Sequence, residues 1–396
     1  MKKLLAAPVK MSLPESENQL YQNMLKNISD ISLNLLAIKT DDIIEEIPSD
    51  FLTWCKTMHL ICNKHLNYEL LEAEQLPVVA KLSKLLEQAI SQCQLKMLRI
   101  TPWPIFVANI EELQNRPIWS EQQAFLHYIA QLRSQSFSQL ISEDQLVYFG
   151  KHTAKHDPSI YTFDVEHFTG FRNAKNFLAT VTHNADAIEK MLQAIPLQGE
   201  VTFAHYQDFV SQYVAMFEQQ AEPEKAPLFP ATRLLALHRP DVFISINSSK
   251  ADSICAAFGL ARLSNQDFLS YWNDLVASYQ QMPWWKLASA NNDNEQFILE
   301  HRAILLDLFW FADEKAHEQS NYYKALHKPS SSSVNKSASA RRSGKSLESV
   351  SAMVDKVLAE DDMPAFVKAN REAIIKQVMG GKKIEEVVGL MRSIFG

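Results

Sequence analysis

Glycine is scarce in this chain: nine residues in 396, where average usage of roughly 7% would place about three times as many. Few left-handed corners are therefore on offer, and β-rich folds and phosphate-cradling loops depend on such corners. Neither G-x-x-x-x-G-K-S/T nor G-x-G-x-x-G occurs, which argues against an NTPase or a dinucleotide enzyme. Cysteine is scarcer still. Cys55, Cys62, Cys93 and Cys255 are too few and too irregularly spaced for a disulfide framework, and a reducing, cytoplasmic setting is expected. No run of about 18 apolar residues occurs, so no membrane-spanning helix is expected. The opening Met1-Lys2-Lys3-Leu4-Leu5-Ala6-Ala7 imitates a secretory leader, but Pro8 and Lys10 cut its apolar run short, and no export is expected.

What the sequence does contain is core-building material. Hydrophobic residues make up 46% and charged residues 21%, a globular composition in a length that suggests two or three domains. The net charge of −7 conceals an uneven distribution. Residues 1–323 carry 26 bases against 38 acids, residues 324–346 six bases and no acid, and the last fifty residues seven bases against eight acids. An acidic body is thus followed by a basic tether.

The apolar spacing predicts a mainly α protein in four parts. Residues 1–100 read as an N-terminal helical bundle, with Leu20, Met24, Ile28, Ile31 and Leu35 three and four apart, a second helix over 50–66 and a third over 79–97. Thr101-Pro102-Trp103-Pro104 predicts an extended turn that opens a main helical domain over 101–323. There a helix is expected from a Ser120 cap through to about Phe149, and others near 173, over 203–217, over 265–280 and over 294–311. Between them, Ala231 to Lys250 predicts a short helix stopped at Pro240, an extended stretch through Ile246 and a Ser-capped helix closed by Gly259. Residues 324–346 hold almost no apolar side chain, cannot repay the entropy of ordering, and are expected to form a disordered linker. Residues 347–396 carry three short apolar-periodic segments and predict a three-helix module.

Several groupings invite a chemical reading. Cys55, His59, Cys62 and His65 have zinc-type donors, but on one helix they cannot converge into a tetrahedron, so burial is expected. His152, His156, Asp157, Asp164, Glu166 and His167 form the densest set of acid–base and metal-binding types, in no recognised order, and a polar surface loop explains them as well. Asp241, Asn247 and Lys250 resemble the pattern of metal-dependent nucleases, with an amide where a carboxylate belongs and Lys250 one residue too far. The preferred reading makes Arg233, Arg239 and Asp241 a hydrogen-bonded corner between helices. Trp272, Trp284, Trp285 and Trp310, with Tyr271 and Tyr279, are suited to stacking or to anchoring a partner, and equally to core packing, which is preferred. Cys255, between Ile254 and Ala256, reads as a small core residue. No catalytic residue, metal or cofactor is assigned.

Lys328, Lys336, Arg341, Arg342 and Lys345 in the tether, with Lys382 and Lys383 beyond it, would bind phosphates through counterion release. The stretch Arg371 to Val388, with Gly380-Gly381 at its centre, resembles the helix, turn, helix element of small bacterial DNA-binding modules, in which the second helix enters the major groove. Glu385 and Glu386 set two negative charges where phosphates would lie, and a partner-docking module fits as well. Leu234-Leu235 through Pro240-Asp241-Val242-Phe243, about 20 residues in all, resembles a corner in helical modules of bacterial restriction and phage-defence proteins. The resemblance implies a setting and no chemistry. These features lead to a non-enzymatic DNA-associated accessory or adaptor subunit of a bacterial defence or mobile-element system, with a sister protein subunit as partner. The alternatives are a metal-dependent nuclease or hydrolase, and a protein scaffold that never touches nucleic acid.

Overall fold

The three- and four-residue apolar spacing of the first hundred residues is realised as helices. The computed structural model describes residues 1–152, 161–168, 175–220, 225–311, 318, 320–327, 354–355, 357–358, 364–379, 384 and 387–388. Among these residues there is no strand, and the fold is mainly α. No helix among them is long and apolar enough to cross a membrane.

Helix Glu15–Asp30 buries Leu20, Met24 and Ile28, and a break at Ile31 leads to Ser32–Leu36, which buries Leu35. Asp50 caps Phe51–Leu60 by accepting the Thr53 amide at 2.9 Å, and the helix widens into a π turn over Ile61–His65. The longest helix, Leu76–Met97, packs against both Glu15–Asp30 and Phe51–Leu60. These elements enclose one apolar cluster, from Leu4 to Cys93.

The turn at Thr101–Pro102 is real but short. Pro102 is extended, and helix Trp103–Gln114, which the sequence reading did not anticipate, starts at the next residue. Pro104 falls in the first turn, where a backbone N–H has no intrahelical partner to lose, so it initiates the helix rather than preventing it. Two further expectations need correction. Ser120 is not a cap, because helix Trp119–Leu132 begins one residue before it. Nor does that helix continue to Phe149: the chain breaks after Leu132, makes a short turn at Phe137–Gln139 and resumes as Ser142–Tyr148. Helices Lys175–Val181, Ala185–Gln193, Phe203–Glu218, Leu228–His238, Ser248–Phe258 and Asp293–His301 follow, with a π segment at Tyr271–Val276. They share a second, larger apolar cluster running from Leu95 to Phe309.

Leu76–Met97 also packs along Ser248–Phe258, so one 22-residue helix ties the two clusters together. The returning chain adds a latch, where the Phe311 amide donates to Ser91 Oγ at 2.9 Å.

The chain divides into two compact units, Met1–Lys328 and Pro329–Gly396. Helix Asn321–Leu326, capped by Ser320 and burying Tyr322, carries ordered structure past Lys324, so the expected start of the linker is too early. The smaller unit includes helices Ala365–Ala369 and Arg371–Met379 and its own cluster of Val354, Leu358, Val367, Ile374, Ile375, Val378, Ile384, Val387 and Val388.

Candidate functional site

The most polar part of the interior is built around helix Leu228–His238. Leu-rich on most of its surface, it is buried along its whole length and carries one charge inside, Arg233, whose exposure is 0%. A fully buried guanidinium must spend its N–H groups on acceptors. Nε donates to the Tyr148 carbonyl at 2.7 Å, Nη2 to those of Val147 and Val165 at 2.9 Å each, and Nη1 to that of His167. The cation therefore sits at the C-terminal end of helix Ser142–Tyr148, where exposed carbonyls favour positive charge. Its carbon stands 5.4 Å from the centre of the Phe125 ring. Burial pulls its pKa down to about 9, which still leaves it charged at neutral pH.

The His-rich segment meets this arginine from the other side. His152 Nε2 lies 2.7 Å from Asp164 Oδ1, and the same oxygen accepts the Glu166 amide at 2.9 Å. Burial works to raise the Asp164 pKa, but these hydrogen bonds and the nearby His167 and His152 outweigh it, and the carboxyl is held below the usual carboxylate range. His167 Nε2 lies 3.5 Å from Glu121 Oε2. Asp164 and His167 are both buried, so this is not the polar surface loop that the composition suggested. His156 and Asp157 lie outside the described residues.

Arg239 and Asp241 do pair, with Nε and Nη2 each 2.8 Å from a carboxylate oxygen. The remaining Arg239 donors go to the Pro196 carbonyl and, at 2.9 Å, to that of Gly199. Arg233, six residues earlier and inside the helix that Arg239 terminates, serves residues 147–148 and 165–167 instead. The corner is thus two devices in series: Arg233 fastens the end of helix Ser142–Tyr148 and residues 165–167, and Arg239 fastens residues 196–199.

The nuclease-like residues have other duties. Asp241 is held by Arg239, Asn247 Oδ1 caps helix Ser248–Phe258 by accepting the Lys250 amide at 2.9 Å, and Lys250 Nζ pairs with Asp307. Among the described residues no three His, Cys, Asp or Glu side chains are placed to hold one metal ion. Cys55, Cys62 and His59 are buried in the N-terminal cluster, while His65 is exposed. Burial pushes the Cys62 thiol up to about 12 and that of Cys55 higher still, far from the reactive thiolate. Cys255 is buried too.

The aromatic group is largely core. Trp284, Tyr271 and Tyr279 are fully buried; Trp272, Trp285 and Trp310 are partly covered, with the Arg302 guanidinium 3.6 Å above the Trp285 ring. The two tyrosines have a second task. Residues 242–246 are buried and lie in no helix or sheet, so backbone atoms there that no other backbone group meets need side-chain partners. Tyr279 donates to the Val242 carbonyl at 2.6 Å, Tyr271 to that of Ile244 at 2.8 Å, and the Ile246 amide donates to Thr232 Oγ1 at 3.1 Å.

Lys328, Lys336, Arg341, Arg342, Lys345, Lys382 and Lys383 lie outside the described residues. No family model matches the chain, and neither a curated protein nor a solved structure matches it.

Proposed function

We propose that the chain is a non-enzymatic adaptor, its acidic body docking a sister protein subunit while the basic segment and C-terminal module engage DNA. The observation that carries this reading is the division into two compact units, with two apolar clusters in the larger and one in the smaller, at the basic stretch that holds six bases and no acid. Such a stretch attracts phosphates without regard to sequence. The charge pairs of the body support the same reading, since Arg239 with Asp241 and Lys250 with Asp307 neutralise each other inside the fold. A bacterial defence or mobile-element setting rests on the likeness of Leu234 to Phe243 to modules of such systems.

The test compares duplex DNA binding by the full chain with binding by a version in which Lys328, Lys336, Arg341, Arg342, Lys345, Lys382 and Lys383 are Gln. The adaptor reading expects affinity that falls steeply with salt and is lost in the Gln version, with the DNA left intact. Mg²⁺-dependent cleavage abolished by Asp241→Ala or His152→Ala would establish the nuclease instead. Absence of DNA binding, with a co-purifying protein lost on truncation at Lys328, would leave a protein scaffold.

A further inference from the structure

A cavity of about 170 Å³ opens between the end of helix Trp119–Leu132, the Phe137–Gln139 turn and helix Ala185–Gln193. Most of its polar lining is already satisfied. Glu189 accepts the Ser136 hydroxyl at 2.5 Å, the Ser138 amide at 3.0 Å and the Gln193 side chain at 3.1 Å, and His238 Nε2 lies 2.9 Å from the Ile195 carbonyl.

Two donors are left over. Tyr148 is only 3% exposed and lines the cavity, and its hydroxyl makes no hydrogen bond to another described residue. Arg133 is half-buried and makes one long hydrogen bond, 3.3 Å to the His238 carbonyl, with no carboxylate in ion-pair range among the described residues. Burial raises the Tyr148 pKa while the Arg133 charge lowers it, so the two groups act on the same space. A cation and a hydroxyl, both short of acceptors, share one concave site with the apolar faces of Phe137, Leu140 and Leu192.

We propose that this cavity binds a small carboxylic acid as its carboxylate, with the two oxygens taken by the Arg133 fork and the Tyr148 hydroxyl and the carbon chain lying against Phe137, Leu140 and Leu192. The planar fork matches a carboxylate in shape. Glu189 in the same lining repels a dianion such as phosphate more strongly than a monocarboxylate, and its oxygens are already held by Ser136, Ser138 and Gln193. The volume sets the size, because a cavity of about 150 Å³ holds a molecule as large as benzene. The site is independent of DNA binding, and it touches the buried hub directly, since the carbonyl of Tyr148 is the acceptor of Arg233 Nε.

The test is calorimetric titration of the full chain with butyrate, benzoate, butyramide and inorganic phosphate, with thermal unfolding as a second readout. The expected result is binding of the acids but not of the amide, a raised unfolding midpoint with acid present, and loss of both in Arg133→Gln. Tyr148→Phe removes a hydroxyl that bonds to none of the described residues, so it should fold as the parent does and bind the acids about tenfold more weakly. The proposal is overturned if no acid binds at millimolar concentration, if butyramide or phosphate binds as tightly as the acids, or if Arg133→Gln and Tyr148→Phe bind like the parent.

Discussion

Arg233 illustrates how a buried charge can be tolerated. Its fork collects carbonyls from two separate segments, residues 147–148 and 165–167, and so fixes both against helix Leu228–His238. Arg233→Met would leave these four acceptors short of a donor at about 1 kcal/mol or more apiece, a loss of at least ~4 kcal/mol in all. Arg233→Lys should rescue little, because an ammonium cannot reach four carbonyls in fork geometry. Urea midpoints of the two variants check both statements. His238 and His301 make a second case. Burial pulls each imidazole down to about 4 from an ordinary value of 6.5, so both stay neutral in the native state at neutral pH. The unfolded chain takes up these protons below about pH 6.5 while the native state does not, so stability present above 6.5 is lost as pH falls toward 4. At about 1.4 kcal/mol per unit, the loss is of the order of 3 kcal/mol per histidine. The low Asp164 pKa acts in the same direction, at lower pH. Ring NMR signals assigned to His238 and His301 that titrate with midpoints near 6.5 would contradict this account.

At the scale of elements, the turn chemistry around residues 239–259 is closely determined by local sequence. Pro240 ends one helix, Asn247 caps the next, and Gly259 closes it with φ +73°, a conformation that penalises any side chain. The space around Gly259 is open, so Gly259→Ala should cost about 1 kcal/mol through backbone strain alone. Asn247→Ala should cost a similar ~1 kcal/mol through the lost cap, and the two costs should add nearly completely in the double variant, which denaturant titration can read. This region was legible in the sequence, apart from the choice of Asn247 over Ser248 as the cap. Helix Trp103–Gln114 was not, because two prolines near its start look like a break until the first-turn position of Pro104 is known. The break after Leu132 was hidden for the opposite reason, since Phe137 and Leu140 keep the apolar spacing alive through a segment that is not a continuous helix.

At the scale of the molecule, the body buries two apolar clusters and the C-terminal unit one of its own, and all seven tryptophans belong to the body. Tryptophan fluorescence therefore reports the body alone. Ile374 is fully buried, and Ile374→Ala should cost its unit about 2–5 kcal/mol, moving the helical signal of that unit in circular dichroism while the fluorescence transition stays in place. A fluorescence midpoint that moved with it would show that the two units unfold as one.

Helical class, acidic body, basic tether and the apolar faces of most helices were determined by the sequence itself, because periodicity and charge are local properties that any fold of this chain must accommodate. The pairing of His167 with Glu121, the convergence of Arg233 on four carbonyls, the tyrosine support of Val242–Ile246 and the meeting of Arg133 with Tyr148 were decided only by the tertiary structure. The physical reason is that each of these joins groups distant in sequence whose need for a partner arises only once burial has removed water.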